Sequence, residues 1–331
     1  MKNIVPRGYM LLKDNIVRED NLFGFPSKVK GRWAEGLSLP RKGERLLFAG
    51  CGYQFMSYAE PLLEKIKGME DKGVSVDRAL SFTMGLRKLG VNVPALLSKV
   101  SFGREDPYTT VLLDAVRILK RLKEDFAYLG EEEPCCGSPL YYLGFFEDFA
   151  RKAGEAFRRF KEAGAREIIG IVPACTSSLK NLHPKFVDGY DLEVKHFVEY
   201  LDEAFDRKPV KLRLDRTVTI HDPCQIARFL EISDVLRRLL SRVEGLTVLE
   251  APTSREFTMC CGGGTGLEFT LPELSLKIAA KRVRELLETG ASTIVTCCPG
   301  CLMQLRHGAE AVRAEVEILD VVQLLSQALE G

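Results

Sequence analysis

Gly290-Ala291-Ser292-Thr293-Ile294-Val295-Thr296-Cys297-Cys298-Pro299-Gly300-Cys301 aligns without a gap on Gly164-Ala165-Arg166-Glu167-Ile168-Ile169-Gly170-Ile171-Val172-Pro173-Ala174-Cys175. In each copy a glycine stops a helix, a short apolar run reads as a buried strand, and cysteine lies just beyond it. Working outward, Arg45 to Gly50 is a second such run and delivers Cys51, and Thr217 to Ile220 leads into Cys224. Amphipathic stripes fill the intervals. Leu112, Ala115, Val116 and Leu119, with Thr110 as cap, precede Cys135-Cys136-Gly137, and Phe149, Ala153, Ala156, Phe157 and Phe160 follow it. Downstream, Val235, Leu236, Leu239, Leu240 and Val243 form a stripe stopped by Gly245, Leu246 to Leu249 form a strand, and Leu276, Ala279, Val283, Leu286 and Leu287 form another helix. The two halves therefore repeat strand, helix, strand, Cys-Cys-Gly, helix, strand, cysteine. Alternating strands and helices predict an α/β protein with two pseudo-symmetric parallel-sheet lobes, its cysteine sites at the strand ends.

The cysteines read as metal ligands. Adjacent Cys260 and Cys261 cannot bridge each other without strain, and the Cys298-Pro299-Gly300-Cys301 pair brings two thiolates onto one turn. The downstream set is Cys224, Cys260, Cys261, Cys298 and Cys301; the upstream set is Cys51, Cys135, Cys136 and Cys175, because Val172 stands where Cys298 stands downstream. Four or more thiolates select an iron–sulfur cluster or zinc. Cys297 lies outside the aligned set. Gly262-Gly263-Gly264 permits close backbone approach and N–H donation to sulfur, and it does not fit a dinucleotide-binding G-x-G-x-x-G pattern. His221 and Arg228 flank Cys224 and are the candidates for handling a proton or an anionic group, with structural hydrogen bonding as the plainer role for His221. His183, His196 and His307 have no mutual spacing that makes a site.

His221-Asp222-Pro223-Cys224 with Arg228, Cys260-Cys261-Gly262-Gly263-Gly264 and Cys298-Pro299-Gly300-Cys301 together resemble the CCG-domain proteins. That cysteine-rich module occurs in heterodisulfide reductase and in iron–sulfur subunits of flavin-linked 2-hydroxy-acid dehydrogenases. The resemblance implies that five cysteines hold a non-cubane [4Fe-4S] cluster with one thiolate bridging irons. The upstream four suit a cubane [4Fe-4S] cluster or zinc. In heterodisulfide reductase two non-cubane clusters face each other and split a disulfide; Val172 sets this chain apart from that symmetric arrangement. The expected function is an iron–sulfur oxidoreductase subunit that reduces a small-molecule disulfide, or a related thiol-derived substrate, at the downstream cluster. Its electrons would come from a ferredoxin-like or flavoprotein partner. The alternatives are an electron-transfer subunit of a flavin-linked 2-hydroxy-acid dehydrogenase and a zinc-stabilised interaction protein.

Composition agrees with a reducing, non-polyanion-binding role. Lys and Arg number 47 against 46 Asp and Glu, so the net charge of +1 offers no field for nucleic acid. The opening Met1 to Pro6 lacks a secretory leader's pattern, and no apolar run approaches membrane-span length. Ten cysteines then point to a reducing, cytoplasmic setting, with any membrane association arising through a partner. The 331 residues divide as an N-terminal arm (1–43) carrying the single tryptophan, Trp33, a first degenerate lobe (44–210) and a second complete lobe (211–331). No ferredoxin-type cysteines occur in the arm. Cys51 and Cys135 are separated by 83 residues, against 35 between Cys224 and Cys260, so an insertion is expected near 67–106, helical over 78–90.

Overall fold

The computed structural model describes residues 7–70, 85, 106–264 and 266–330, so nearly all of the expected insertion and its helix lie outside the described residues. Strands β1 (Arg45–Phe48), β2 (Glu167–Gly170) and β3 (Glu193–His196) form a parallel sheet in that order. Strands β4 (Arg213–Ile220), β5 (Glu244–Leu249), β6 (Thr293–Thr296) and β7 (Glu317–Asp320) form a second parallel sheet, ordered β5-β4-β6-β7. The expected α/β class with two parallel sheets is what the chain adopts.

The repeat is visible strand by strand. β1, β2 and β3 match β4, β6 and β7, and the counterpart of β5 has shrunk to one parallel bridge between Leu46 and Ala127. Leu47 N and Ala127 O, and Ala127 N and Arg45 O, still hydrogen-bond at 2.9 Å. The gapless alignment holds in space. Val172 and Cys298 both cap short-loop helices, Pro173–Ser177 and Pro299–Ala311, whose first residue is proline. Proline is suited there because its fixed φ is helical and its missing N–H has no helical partner to lose.

Helix ends follow their chemistry. The helix Phe146–Glu162 closes with Gly164 at φ +83°, Ala165 N bonding Phe160 O at 3.0 Å and Gly164 N bonding Lys161 O at 3.0 Å, which satisfies the last carbonyls. Two sequence expectations shift. Asp106, not Thr110, caps the helix Pro107–Arg121, its carboxylate accepting from Tyr108 and Thr109 N–H at 3.0 Å each. Gly245 lies within β5, well after the helix Ser233–Leu240 has ended; its positive φ of +84° accommodates the register shift in β4 opposite.

The lobes share one core, which includes Phe48, Ile168 and Val194 from the first sheet and Val218, Ile220 and Val295 from the second. The last helix, Val321–Glu330, crosses onto Pro107–Arg121, where Ser326 Oγ donates to Asp114 Oδ1 at 3.1 Å and Arg117 reaches Ser326 at 3.0 Å. Two further pairings obey the pseudo-symmetry. The helix Gly50–Glu70 packs on Pro299–Ala311, and Pro173–Ser177 packs on the π-helical turn Gln225–Leu230. All four segments begin at or beside a candidate ligand, so the interface brings the two cysteine sites towards each other.

Candidate metal centres

Both cysteine sets sit past the carboxyl ends of parallel strands, where diverging loops leave a crevice. Upstream, Cys51 opens the helix after β1, Cys175 lies in the helix after β2, and Cys135-Cys136 come from the loop before Ser138–Tyr142. Cys136 Sγ and Cys175 Sγ are 3.2 Å apart. All four cysteines line one small cavity with Asp20, Lys30, Gln54 and Glu133. Gly50 makes this possible. Its φ is +65°, and a side chain there would press on Val172 Cγ2 at 2.9 Å and Cys175 Sγ at 3.2 Å. Val172 thus fills, with apolar volume, the position from which a fifth sulfur would enter.

Downstream, Cys261 Sγ and Cys301 Sγ are 3.2 Å apart. Cys224 begins the π-helical turn after β4, and Cys298 and Cys301 begin the helix after β6. Cys261 and Cys301 are buried, Cys224 and Cys298 half-buried, and Cys260 exposed, so the site opens to solvent on the Cys260 side. Cys297 is buried, and the charges of Asp320, Cys298 and Asp222 add to burial in raising its thiol.

The two Cys-Cys-Gly turns share one device. Gly137 and Gly262 have φ of +69° and +88°, which turns Gly137 N–H to Cys135 Sγ at 3.5 Å and Gly262 N–H to Cys260 Sγ at 3.3 Å. A Cβ on Gly262 would collide with Ser275 O at 2.4 Å. The requirement for glycine here is therefore packing against the helix Pro272–Leu287 as much as approach to sulfur.

The thiols burden one another. Cys135 and Cys261 are held well below the ordinary thiol range by S–H donation from their neighbours, Cys136 and Cys51 in the one case and Cys260 and Cys301 in the other. Cys136 and Cys301 are pushed well above it by those same bonds and by burial. Burial also raises Cys224 to about 11, with the charges of Cys298 and Cys261 adding to it. Crowded sulfurs that cannot all ionise alone are relieved by a cationic centre, which is the chemistry of a thiolate-ligated metal site. The donor sets fit iron–sulfur clusters.

The candidate proton handlers separate. His221 is buried, with Cys261 and Cys301, in a cluster whose ligand atoms lie within 4.8 Å of one another. Arg228 is exposed, and its guanidinium donates to Glu256 O at 2.9 Å and Thr258 O at 2.5 Å. It ties the Cys224 turn to the loop that leads into Cys260. The buried cation on this side is Arg282, fully enclosed, with Nε on His221 Nδ1 at 3.1 Å and Nη1 on Glu285 at 2.7 Å. Asp222, also fully buried, binds Arg237 through two bonds of 2.6 and 2.9 Å and accepts from Arg255 N at 2.8 Å, fixing the turn on both sides.

Upstream support comes from the arm. Asp20 Oδ1 accepts from Cys135 N at 3.1 Å, and Lys30, Lys152 and Arg159 gather on its carboxylate. Glu133 accepts from Ala49 N, Gly50 N and Gln54 at 2.8, 2.9 and 2.6 Å, and burial lifts its carboxyl to about 8 despite them. Sequence reading missed these residues and Arg282. The available signals were Glu133 standing directly before Pro134-Cys135, and Arg282 falling on the apolar face between Ala279 and Leu286.

The family model for the cysteine-rich domain, CCG, matches residues 101–180 and 218–306, just over half of the chain. The chain belongs to the CCG family. Among the relatives of this CCG protein, a dihydromethanophenazine:CoB–CoM heterodisulfide reductase subunit from Methanosarcina acetivorans is 33% identical over 219 residues, covering 64% of this chain and 54% of that one. A probable iron-sulfur-binding oxidoreductase, FadF, of Bacillus subtilis is 34% identical over 227 residues, 67% of this chain and 32% of its own. Lactate utilization protein A of an Exiguobacterium species is 21% identical over 207 residues, 60% of this chain and 83% of its own. The CCG chain spans about half the length of the methanogen relatives. A crystal structure of a hypothetical protein from Helicobacter pylori shares the fold, with a TM-score of 0.50 at 12% identity over 67% of this chain and 46% of that one. The CCG protein is thus a cysteine-rich relative of oxidoreductase subunits, and no helix among the described residues is long and apolar enough to cross a membrane.

Proposed function

We propose that this CCG chain is an iron–sulfur oxidoreductase subunit that reduces a small-molecule disulfide at its downstream site. Cys224, Cys260, Cys261, Cys298 and Cys301 would hold a non-cubane [4Fe-4S] cluster, and Cys51, Cys135, Cys136 and Cys175 a cubane [4Fe-4S] cluster or zinc. When bound, the cluster supplies single electrons beside a substrate sulfur. The balance is RSSR + 2e⁻ + 2H⁺ → 2 RSH, with electrons from a ferredoxin-like or flavoprotein partner. The observation that carries this reading is the five-sulfur set with exposed Cys260 at its mouth. A substrate sulfur has a solvent route to that side, whereas Cys135, Cys136 and Cys175 of the upstream set are buried and Cys51 is half-buried. His221 is positioned to keep a hydrogen-bond donor on the sulfurs, while Asp222 and Arg228 hold the Cys224 turn in place.

The second reading is an electron-transfer iron–sulfur subunit of a flavin-linked 2-hydroxy-acid dehydrogenase, and the likeness to lactate utilization protein A, whose name refers to a 2-hydroxy acid, favours it. Anaerobic iron and acid-labile sulfide analysis with EPR tests the cluster assignment, and Cys261→Ala should abolish or alter the downstream signal while sparing the upstream metal. Full iron and an unchanged spectrum in that variant would refute it. A thiol or disulfide that perturbs the downstream signal in oxidised protein supports the reductase; an indifferent signal together with electron exchange with a flavoprotein supports the second reading.

A further inference from the structure

A fully buried arginine behind a metal centre needs a reason, and the hydrogen bonds of Arg282 supply one. Its Nε lies 3.1 Å from His221 Nδ1, its Nη1 binds Thr253 O, Thr253 Oγ1 and Glu285, and its Nη2 reaches Thr258 Oγ1 at 3.4 Å. A guanidinium has five N–H donors and no acceptor. His221 Nδ1 must therefore accept, which leaves Nε2 as the ring's N–H. Among the described residues Nε2 is buried and meets no nitrogen or oxygen partner, so the sulfurs beside the ring are what remains for it: Cys261 and Cys301 lie within 4.8 Å of the imidazole, and the imidazole helps hold the Cys261 thiol below its ordinary range.

This polarity is the reverse of a metal-ligating histidine, which coordinates through one nitrogen and donates its other N–H to a carboxylate, carbonyl or water. The upstream lobe offers the internal comparison. Phe146 and Pro272 open equivalent helices, so Ala156 and Phe160 stand where Arg282 and Leu286 stand. His221 precedes Cys224 by three residues, as Phe48 precedes Cys51. Phe48 packs edge-on against Phe160, with ring centroids 5.8 Å apart. The positions of His221 and Arg282 are thus held upstream by the apolar pair Phe48 and Ala156, with Phe160 packed on Phe48 where Leu286 stands downstream.

We propose that Arg282 is a positioning residue that locks His221 as an N–H donor to the Cys261 sulfur and thereby raises the reduction potential of the downstream site. An N–H···S bond and a buried positive charge both withdraw electron density from the ligand sulfur, which favours the reduced state. The inference rests on the cluster reading given above for the same cysteines.

EPR-monitored redox titration of the anaerobically purified protein tests it. His221→Phe combined with Arg282→Ala reproduces the pair found in the upstream lobe. It should keep downstream iron and sulfide, move the downstream midpoint to lower potential and leave any upstream signal in place. Arg282→Ala alone should give a shift in the same direction, and His221→Gln, which retains an N–H, a smaller one than His221→Phe. An unmoved midpoint at full cluster content overturns the inference while leaving the cluster reading intact; loss of iron on changing His221 alone makes that residue a ligand and overturns it as well. Native protein without iron at this site defeats both. If the variants do not fold, 15N-histidine spectra of the native protein decide: a neutral His221 ring protonated at Nε2 supports the inference, and one protonated at Nδ1 overturns it.

Discussion

Val172→Cys asks whether the missing sulfur alone distinguishes the two centres. Val172 is 6% exposed and extended, at φ −88° and ψ 119°, and its counterpart Cys298 is also extended at φ −146° and ψ 129°. Cysteine therefore fits the backbone. The exchange removes one methyl-sized group from beside Gly50 and Cys175, which at about 0.8 kcal/mol per buried methylene costs roughly 1 kcal/mol. That is small against a usual stability of about 5–15 kcal/mol, so the fold should survive. With a fifth thiol at the same helix cap, the upstream centre should acquire a visible and EPR spectrum closer to the downstream one, with iron content at least that of the unaltered protein. Urea unfolding checks the cost, and iron, sulfide and EPR check the conversion. Two equivalent five-cysteine signals in the unaltered protein would refute the argument, as would an unchanged upstream spectrum in a variant destabilised by no more than the expected amount.

Asp222→Ala should destabilise by about 3 kcal/mol, the cost of leaving one partner of a buried pair; Arg237 keeps its bonds to Glu250 at 2.6 and 2.8 Å, which holds the loss near the lower end. Chemical denaturation checks it, and a loss under about 1 kcal/mol would mean the turn is held elsewhere. Acidification should destabilise the first lobe through His196, whose pKa burial lowers to about 3, and His183, lowered to about 4. Between pH 6.5 and these values the unfolded chain takes up protons that the native one refuses, so stability present above pH 6.5 is lost as pH falls, by about 3 kcal/mol per histidine at pH 4.5. His196→Asn retains an acceptor for Val198 N–H, gives up the bond to Ile171 O, and should remove about 3 kcal/mol of the acid-induced loss between pH 7.5 and 4.5, a loss that proton uptake by Glu133, lifted to about 8, partly offsets; an unchanged profile would refute the assignment.

The sequence showed the parts of this protein that depend on local apolar runs and on sulfur spacing. β1, β2, β4, β5 and β6 each contain a run of aliphatic side chains or an alternation that reads directly, and Gly164 and Gly290 before β2 and β6 mark the ends of the preceding helices. β3 and β7 were not legible because Glu193-Val194-Lys195-His196 and Glu317-Ile318-Leu319-Asp320 carry polar residues at both ends and gain their strand character only from pairing to β2 and β6. The helix Arg7–Glu19 was hidden for a related reason. It buries Gly8, Leu12, Asn15 and Ile16, a helical spacing in which only two residues are strongly apolar. Charge partners were the least legible. Arg228, four residues after Cys224, bonds to carbonyls, whereas Arg282, far away in sequence, lies behind His221.

The same topology has been furnished in two ways, and the difference follows from which segment lies over each site. Downstream, the groups around the sulfurs come from the lobe's own loops and helix: His221 and Asp222 from the turn after β4, Arg282 from the helix Pro272–Leu287. Upstream, the matching positions are apolar, Phe48, Ala49 and Ala156, and polar groups are imported from the arm, with Asp20 on Cys135 N–H and Lys30 on Glu133 O at 2.8 Å. Buried Lys30 and Lys152 bring positive charge close to Cys135 by way of Asp20 without donating to any sulfur. The upstream four-sulfur centre is covered by the arm and ringed by internally paired charges, whereas the downstream set opens to solvent on the Cys260 side. Tyr53, two residues past Cys51, hydrogen-bonds across the lobes to Asp320, the residue that caps the last helix beside Cys297. The first-lobe ligand turn is thereby tied to the second lobe beside Cys297.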